Sequence, residues 1–193
     1  MQYTQLQITS GQWNWTGKLF GIIFGVIVYI VIRKKISPYD FIKIKQRRQY
    51  VQQTIIATIL LTCTTFFSYF DSSLTMDRET LLYQLTMPGL DEEIMFRAIL
   101  LGLLLTCLKE NIKVGQFNFG SPSILIIGLL FGLLHGLTLT DNFSFKFDYL
   151  YFLSTFIFGY IWSWITVKSK SILQPVISHS LFNFVVHLIR MTK

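Results

Sequence analysis

Three consecutive carboxylates, Asp91-Glu92-Glu93, and an arginine four residues after the last of them, Arg97, stand at the head of a run from Ala98 to Leu108 that carries no charge. The chain is 52% hydrophobic and only 14% charged, too little polar surface for an ordinary soluble domain, so its long apolar runs read as membrane spans. An ionisable side chain entering such a span costs ~2.5 kcal/mol or more, which makes it a functional suspect. The cluster at 91–97 therefore organises the reading of the rest.

A net charge of +7 over 193 residues invites a nucleic-acid reading, but seven of the seventeen basic residues fall in one loop: Arg33, Lys34, Lys35, Lys43, Lys45, Arg47 and Arg48. Flanked by apolar runs, that loop marks the cytoplasmic face and contact with anionic lipid rather than a nucleic-acid groove. Cys63 and Cys107 both lie inside apolar runs, where a thiol acts as a small hydrophobe, and no disulfide is expected.

In order, the chain predicts an all-α, polytopic helix bundle of about six spans. Trp13 to Ile32 is the first, with Trp13 and Trp15 anchoring its outer end. No basic residue precedes Lys18 and the basic cluster follows the apolar run, the reverse of a signal peptide, so this span is read as retained. Tyr50 to Phe70 is the second. Pro88-Gly89 breaks the apolar stretch that starts at Leu81, so Leu81 to Met87 reads as a short interfacial or re-entrant piece, with Asp91 capping a new helix from Glu92 to about Leu108.

Ser121-Pro122 supplies a cap and first-turn proline for a span to about Leu139. Tyr149 to Val167 and Ile172 to Ile189 complete the set, the last with an expected kink at Pro175. The whole chain, 1–193, reads as one membrane domain, with two amino-terminal spans in 1–80 and a motif-bearing core in 81–193. Loops 33–49, 109–120 and 168–171 hold 7, 2 and 2 basic residues against five in the other segments, which places both termini outside. The same count puts Glu92 and His135 toward the outer half.

The three histidines, His135, His179 and His187, all lie in apolar helices. His135 follows Phe131 by one turn, and Gly128, Gly132 and Gly136 thin one face for close helix approach. His179 and Asn183 project from a common face. Glu93 and Arg97 have ion-pair spacing, and Glu92 points about 100° away, so one carboxylate can be structural while the other stays available. Glu92 with His135 could activate a water for attack on an amide while His179 and Asn183 stabilise the oxyanion. Such a site hydrolyses peptides without a nucleophilic serine or cysteine. The plain alternatives are a helix-start carboxylate for Glu92, interhelical hydrogen bonding for the histidines, and packing for His187.

These residues resemble a family. Glu92-Glu93 with Arg97, Phe131 with His135, and His179 with Asn183, in that order on successive spans, are similar to the three motifs of the CPBP intramembrane proteases, which include type II CAAX prenyl endopeptidases and bacteriocin-processing or Abi proteins. The resemblance covers about Glu92 to Asn183. It implies that Glu92 and His135 activate water, that His179 and Asn183 form the oxyanion site, and that Glu93, Arg97 and Phe131 support them. The implied substrate is a lipidated carboxy-terminal peptide or a bacteriocin or signalling-peptide precursor. A bacterial plasma membrane and the second substrate class are the favoured reading.

Glu92, His135 and His179 are also three acceptable zinc ligands. With no His-Glu-x-x-His run and an arginine nearby, the metal-free route, with no cofactor, ranks above a zinc one. Two other classes compete: a non-enzymatic immunity or scaffold protein that binds a peptide toxin or partner, and a proton-coupled transporter. The second is disfavoured because no repeat symmetry is visible.

Overall fold

The computed structural model describes residues 11–46, 48–108, 111–114, 116–118 and 120–193. Helix α1 spans Trp15–Ile32, and its outward residues, among them Phe20, Ile23, Phe24, Ile27 and Ile30, are exposed, the arrangement of a helix solvated by lipid. Helix α2, Val51–Cys63, tightens into a 3₁₀ turn at Thr64–Phe70. Helix α5 is Pro122–Gly136, α6 Tyr149–Ser169 and α7 Leu173–Thr192. Two short antiparallel ribbons lie in the connections: Lys113–Val114 with Phe117–Asn118, and Leu137–Leu139 with Phe145–Phe147. Among the described residues, α1, the stretch Arg48–Phe70 and α6 are long and apolar enough to cross a membrane by length and composition. The fold is an all-α helical membrane bundle.

Between α2 and α5 the chain departs from the sequence reading. Leu81 to Met87 is not a separate interfacial piece: α3 runs Arg78–Glu93 through Pro88-Gly89, passes into a π-helical segment at Ile94–Leu100 and continues as α4, Leu101–Cys107. At ~1.5 Å per residue these 30 residues span about 45 Å. Asp91 is mid-helix and caps nothing. The N-cap is Asp77, whose carboxylate accepts from the Thr80 hydroxyl and from the amides of Thr80 and Glu79, which together hold its carboxyl below the usual carboxylate range.

Local breaking signals lose here to packing. Pro88 forfeits one amide bond, but a Cβ on Gly89 would lie 2.2 Å from Ser180 Oγ and 3.0 Å from the Val176 carbonyl, so α3 and α7 meet nearly backbone to backbone at this point.

Two further expectations are corrected. The span expected to reach Leu139 ends as helix at Gly136, because Leu137–Leu139 pairs as a strand. Pro175 does not kink the last helix: α7 begins at Leu173, so the proline sits in the first turn, where its amide would have had no intrahelical partner. The glycine face of α5 does what its spacing predicts. A Cβ at Gly132 would stand 2.9 Å from the Phe152 carbonyl and 3.0 Å from Phe156 Cβ, and Gly128 and Gly136 are similarly pressed against α6.

The basic loop is anchored through its apolar members. Ile36 and Phe41 are fully buried in the same cluster as Leu101 and Leu105. The Gln174 amide donates to Gln46 Oε1 at 2.6 Å, and the Ser171 hydroxyl donates to the Lys43 carbonyl, which fixes this loop at the start of α7. The far end of α7 is tied to the 71–74 connection, where Arg190 donates to Ser72 and the Leu74 amide to the Arg190 carbonyl.

Gly132→Leu is expected to lower stability by about 1–3 kcal/mol through overpacking against α6. Gly102→Ala, where the nearest atoms to a new Cβ are 3.4 Å away, is expected to be neutral or mildly stabilising. Thermal unfolding in detergent distinguishes the two.

Candidate active site

Glu92 and Glu93, adjacent in sequence, end up in different environments because successive helical positions diverge by about 100°. Glu93 points inward and is fully buried, as is Arg97. Arg97 Nη1 donates to Glu93 Oε1 at 3.0 Å and Nη2 to the Gly159 carbonyl at 3.3 Å. The guanidinium also lies over the Phe131 ring, 4.6 Å from its centroid, and within 6 Å of the Phe96 and Trp162 centroids (5.6 and 5.5 Å). Gly159 allows this approach, since a Cβ there would meet Phe131 Cβ at 2.9 Å. Arg97 belongs to the π-helical segment, a departure from regular helix of the kind found at functional sites.

The same Glu93 oxygen lies 2.9 Å from His179 Nδ1. His179 is buried and stacked on Trp162 at 4.3 Å and 17°, and the Trp162 indole N–H donates to Ser178 Oγ at 3.0 Å. His135 Nδ1 lies 2.7 Å from the Phe131 carbonyl, and its ring rests against the Phe131 ring at 4.4 Å. A carbonyl or carboxylate partner requires Nδ1 to carry the proton, so each imidazole turns Nε2 toward the same place. That place is Glu92 Oε2, 3.7 Å from His135 Nε2 and 3.9 Å from His179 Nε2. Oε2 is buried and makes no direct hydrogen bond among the described residues. Three polar atoms thus converge at separations that one small oxygen ligand can bridge.

Glu92, His135, His179 and Asn183 line one cavity of about 590 Å³ that extends to Asp71 and Arg190. The structure therefore brings together all four residues expected to do chemistry. Phe131 forms part of the same wall, and Glu93 with Arg97 stands behind it. His187 also lines the cavity, its Nδ1 donating to the Asn183 carbonyl at 2.9 Å. Another cavity, of about 490 Å³, lies on the side of the basic loop, among Tyr39, Tyr50, Trp164 and Lys168, and holds none of these residues.

The sequence reading missed several contributors. Lys18, assigned to an outer segment, donates to Glu92 Oε1 at 3.0 Å and to Asp91 Oδ2 at 2.7 Å. Trp13 and Trp15, read as interface anchors, also tie the start of α1 to α3: the Trp13 indole N–H donates to Thr80 Oγ1 at 2.7 Å and that of Trp15 to Glu79 Oε1 at 2.9 Å, while Trp13 stacks on Tyr83. Trp162, behind His179, and Tyr151, edge-on to His135 at 5.9 Å, carried no spacing signal.

A helical membrane bundle with glutamates and histidines converging in a cavity defines a class, the multi-span membrane proteins with a polar site within the bundle. Comparison with known families narrows it: residues 79–185, more than half of the chain, match the Rce1-like family, described as type II CAAX prenyl endopeptidase Rce1-like. The chain belongs to this family of CAAX-type intramembrane proteases, within the CPBP group that its three motifs resemble. It is accordingly an integral membrane protein of a peptidase family whose substrates are membrane-associated peptides or prenylated proteins. No curated protein and no solved structure matches the chain.

Arg97→Met would strand Glu93 and is expected to cost about 3–5 kcal/mol, the penalty of an uncompensated buried charge. The double variant Glu93→Gln with Arg97→Met is expected to recover a large part of that loss. A double-mutant cycle on thermal stability measures the coupling, and additive losses would contradict the pairing.

Proposed function

We propose that the cavity hydrolyses a peptide bond by attack of a water activated at Glu92. The observation that carries this reading is Glu92 Oε2 flanked by the Nε2 atoms of His135 and His179 at 3.7 and 3.9 Å. The two histidines have different partners and so take different roles. His135 donates Nδ1–H to a neutral carbonyl, which leaves its Nε2 as an acceptor that can share the water proton with Glu92. His179 is held through Nδ1 by the Glu93 carboxylate with Nε2 turned into the cavity, where a proton on Nε2 would donate to a developing oxyanion alongside the Asn183 amide.

In the reaction, water oxygen bonds to the scissile carbonyl carbon as its proton passes to Glu92. The carbonyl oxygen then carries the negative charge facing His179 and Asn183. The carbon–nitrogen bond breaks as Glu92 returns the proton to the leaving amine. Trp162 and Phe131 keep the imidazoles in plane, and Glu93 and Arg97 orient His179 without touching substrate. The route is metal-free: the Lys18 ammonium already sits 3.0 Å from Glu92, and a divalent cation bound to that carboxylate would be repelled by it.

Two features favour a peptide precursor, such as a bacteriocin or signalling peptide, over a cytoplasmic lipidated protein. The cavity reaches Asp71 and Arg190 at one end of α7, whereas the basic loop is bonded to the other end. With that loop on the cytoplasmic side of a bacterial plasma membrane, the cavity faces outward. The chain acts as one membrane domain in which the first two spans complete the core.

Purified protein in vesicles, offered a membrane-anchored quenched-fluorescent peptide library together with farnesylated CAAX peptides, tests the reading. Cleavage is expected to survive chelator and to fall about 10²–10⁴-fold in Glu92→Gln. His135→Ala and His179→Ala are expected to fall comparably. Undiminished cleavage in all three variants would refute the mechanism, chelator-sensitive activity restored by zinc would refute its metal-free form, and preferred cleavage of the farnesylated peptides would refute the substrate class. Toxin protection that persists in Glu92→Gln would instead assign the chain as a non-enzymatic immunity protein.

A further inference from the structure

The family match begins at residue 79, so α1 lies outside it, yet α1 supplies the cation nearest the proposed base. Lys18 is the fourth residue of α1, and its ammonium takes Asp91 Oδ2 at 2.7 Å and Glu92 Oε1 at 3.0 Å. The two oxygens of Glu92 are thereby made unequal. Oε1 is committed to the ammonium, while Oε2, with no direct hydrogen bond among the described residues, faces both imidazoles. A glutamate carboxylate, on three side-chain torsions, would otherwise swing. Held at one oxygen, it presents the other in a single direction.

The register of α1 is fixed independently of this contact. Trp13 and Trp15 bond to Thr80 and Glu79 a few turns above the carboxylates on α3. One turn below Lys18, a Cβ on Gly21 would stand 2.4 Å from Asp91 Oδ1, and on Gly25 3.0 Å from Ile94 Cγ2, so α1 lies directly against α3 along this stretch. Lys18 therefore reaches Glu92 from a helix clamped on both sides. It also places a second cation beside the three carboxylates of 91–93, of which Arg97, among the described residues, forms its ion pair with Glu93.

From this juxtaposition we infer that Lys18 is a positioning residue of the site, holding Glu92 by Oε1 so that Oε2 is the atom that takes the water proton. The inference rests on the hydrolytic reading of Glu92. It makes the amino-terminal helix part of the enzyme's working machinery and not only a membrane anchor.

The test compares wild type, Lys18→Met and Lys18→Arg in vesicles, on the library peptide that wild type cleaves best, with Tm recorded for each. Lys18→Met is expected to lower kcat by about 10- to 100-fold with KM within about twofold, as misdirection of a reacting group does. Lys18→Arg, which restores a cation that can reach both carboxylates, is expected to regain most of kcat. A Lys18→Met enzyme with wild-type kcat, a loss confined to KM, or a Lys18→Arg enzyme no better than Lys18→Met would overturn the inference.

If Lys18→Met does not fold, Lys18→Cys is compared before and after aminoethylation, with wild type treated in parallel as the control for Cys63 and Cys107. Recovery of kcat on restoring the ammonium supports the role, and no recovery refutes it. Where wild type cleaves and Glu92→Gln does not, such negative results sink the Lys18 role alone. Where wild type cleaves nothing, both readings fall together.

Discussion

A single carboxylate oxygen, Glu93 Oε1, receives both the Arg97 guanidinium at 3.0 Å and His179 Nδ1 at 2.9 Å in a place without solvent access. Removing a carboxylate and a guanidinium from water is expensive, and the expense is offset only where geometry is good and further donors and acceptors are met. Arg97 meets it in part with the Gly159 carbonyl and three aromatic faces, and Glu93 with His179, while Arg97 Nε and Glu93 Oε2 make no hydrogen bond among the described residues. These requirements draw α3, the π-helical segment, α5, α6 and α7 to one point. The ion pair is therefore a register device for the bundle as much as a source of stability.

That register separates the tasks of two neighbouring residues. Glu93 is spent on holding His179, and Glu92, rotated out of the interior, faces the cavity with the Nε2 atoms of two imidazoles near its free oxygen. Small residues make the convergence possible: Gly89 lets α3 touch α7, Gly132 lets α5 touch α6, and Gly159 admits Phe131 beneath the guanidinium. The aromatic residues then hold what the glycines bring close. Trp162 stacks on His179, and Phe131 supports His135 and Arg97 together.

The sequence carried the site better than it carried the helix boundaries. Glu92, Glu93, Arg97, His135 and His179 were legible because charged and imidazole groups are rare in apolar helices, and Phe131 and Asn183 because each stands one helical turn from a histidine on the same face. The family match, residues 79–185, spans those positions and reaches back to the second residue of α3. Pro88-Gly89 misled because its breaking signal is local, whereas the contacts of Gly89 with Ser180 and Val176 lie some ninety residues away. Pro175 misled although the expected start, Ile172, lies one residue from the observed Leu173: on either boundary the proline falls in the first turn, where no intrahelical amide bond is lost and no kink follows. Lys18 could not be found from spacing at all, because nothing in a sequence says which helix will lie beside which carboxylate. The π-helical turn at Ile94–Leu100 likewise has no periodicity of its own to announce it.

If this membrane protein cuts peptides and Glu92 is the group that makes it do so, the membranes themselves carry the record. Comparative peptidomics of membranes from cells carrying the wild-type chain or Glu92→Gln reads it. A set of peptides with new carboxy-terminal ends is expected in the wild-type membranes and absent from the variant, with their uncut precursors accumulating in its place. Identical peptide populations in the two membranes, at equal protein levels, would contradict the role of Glu92.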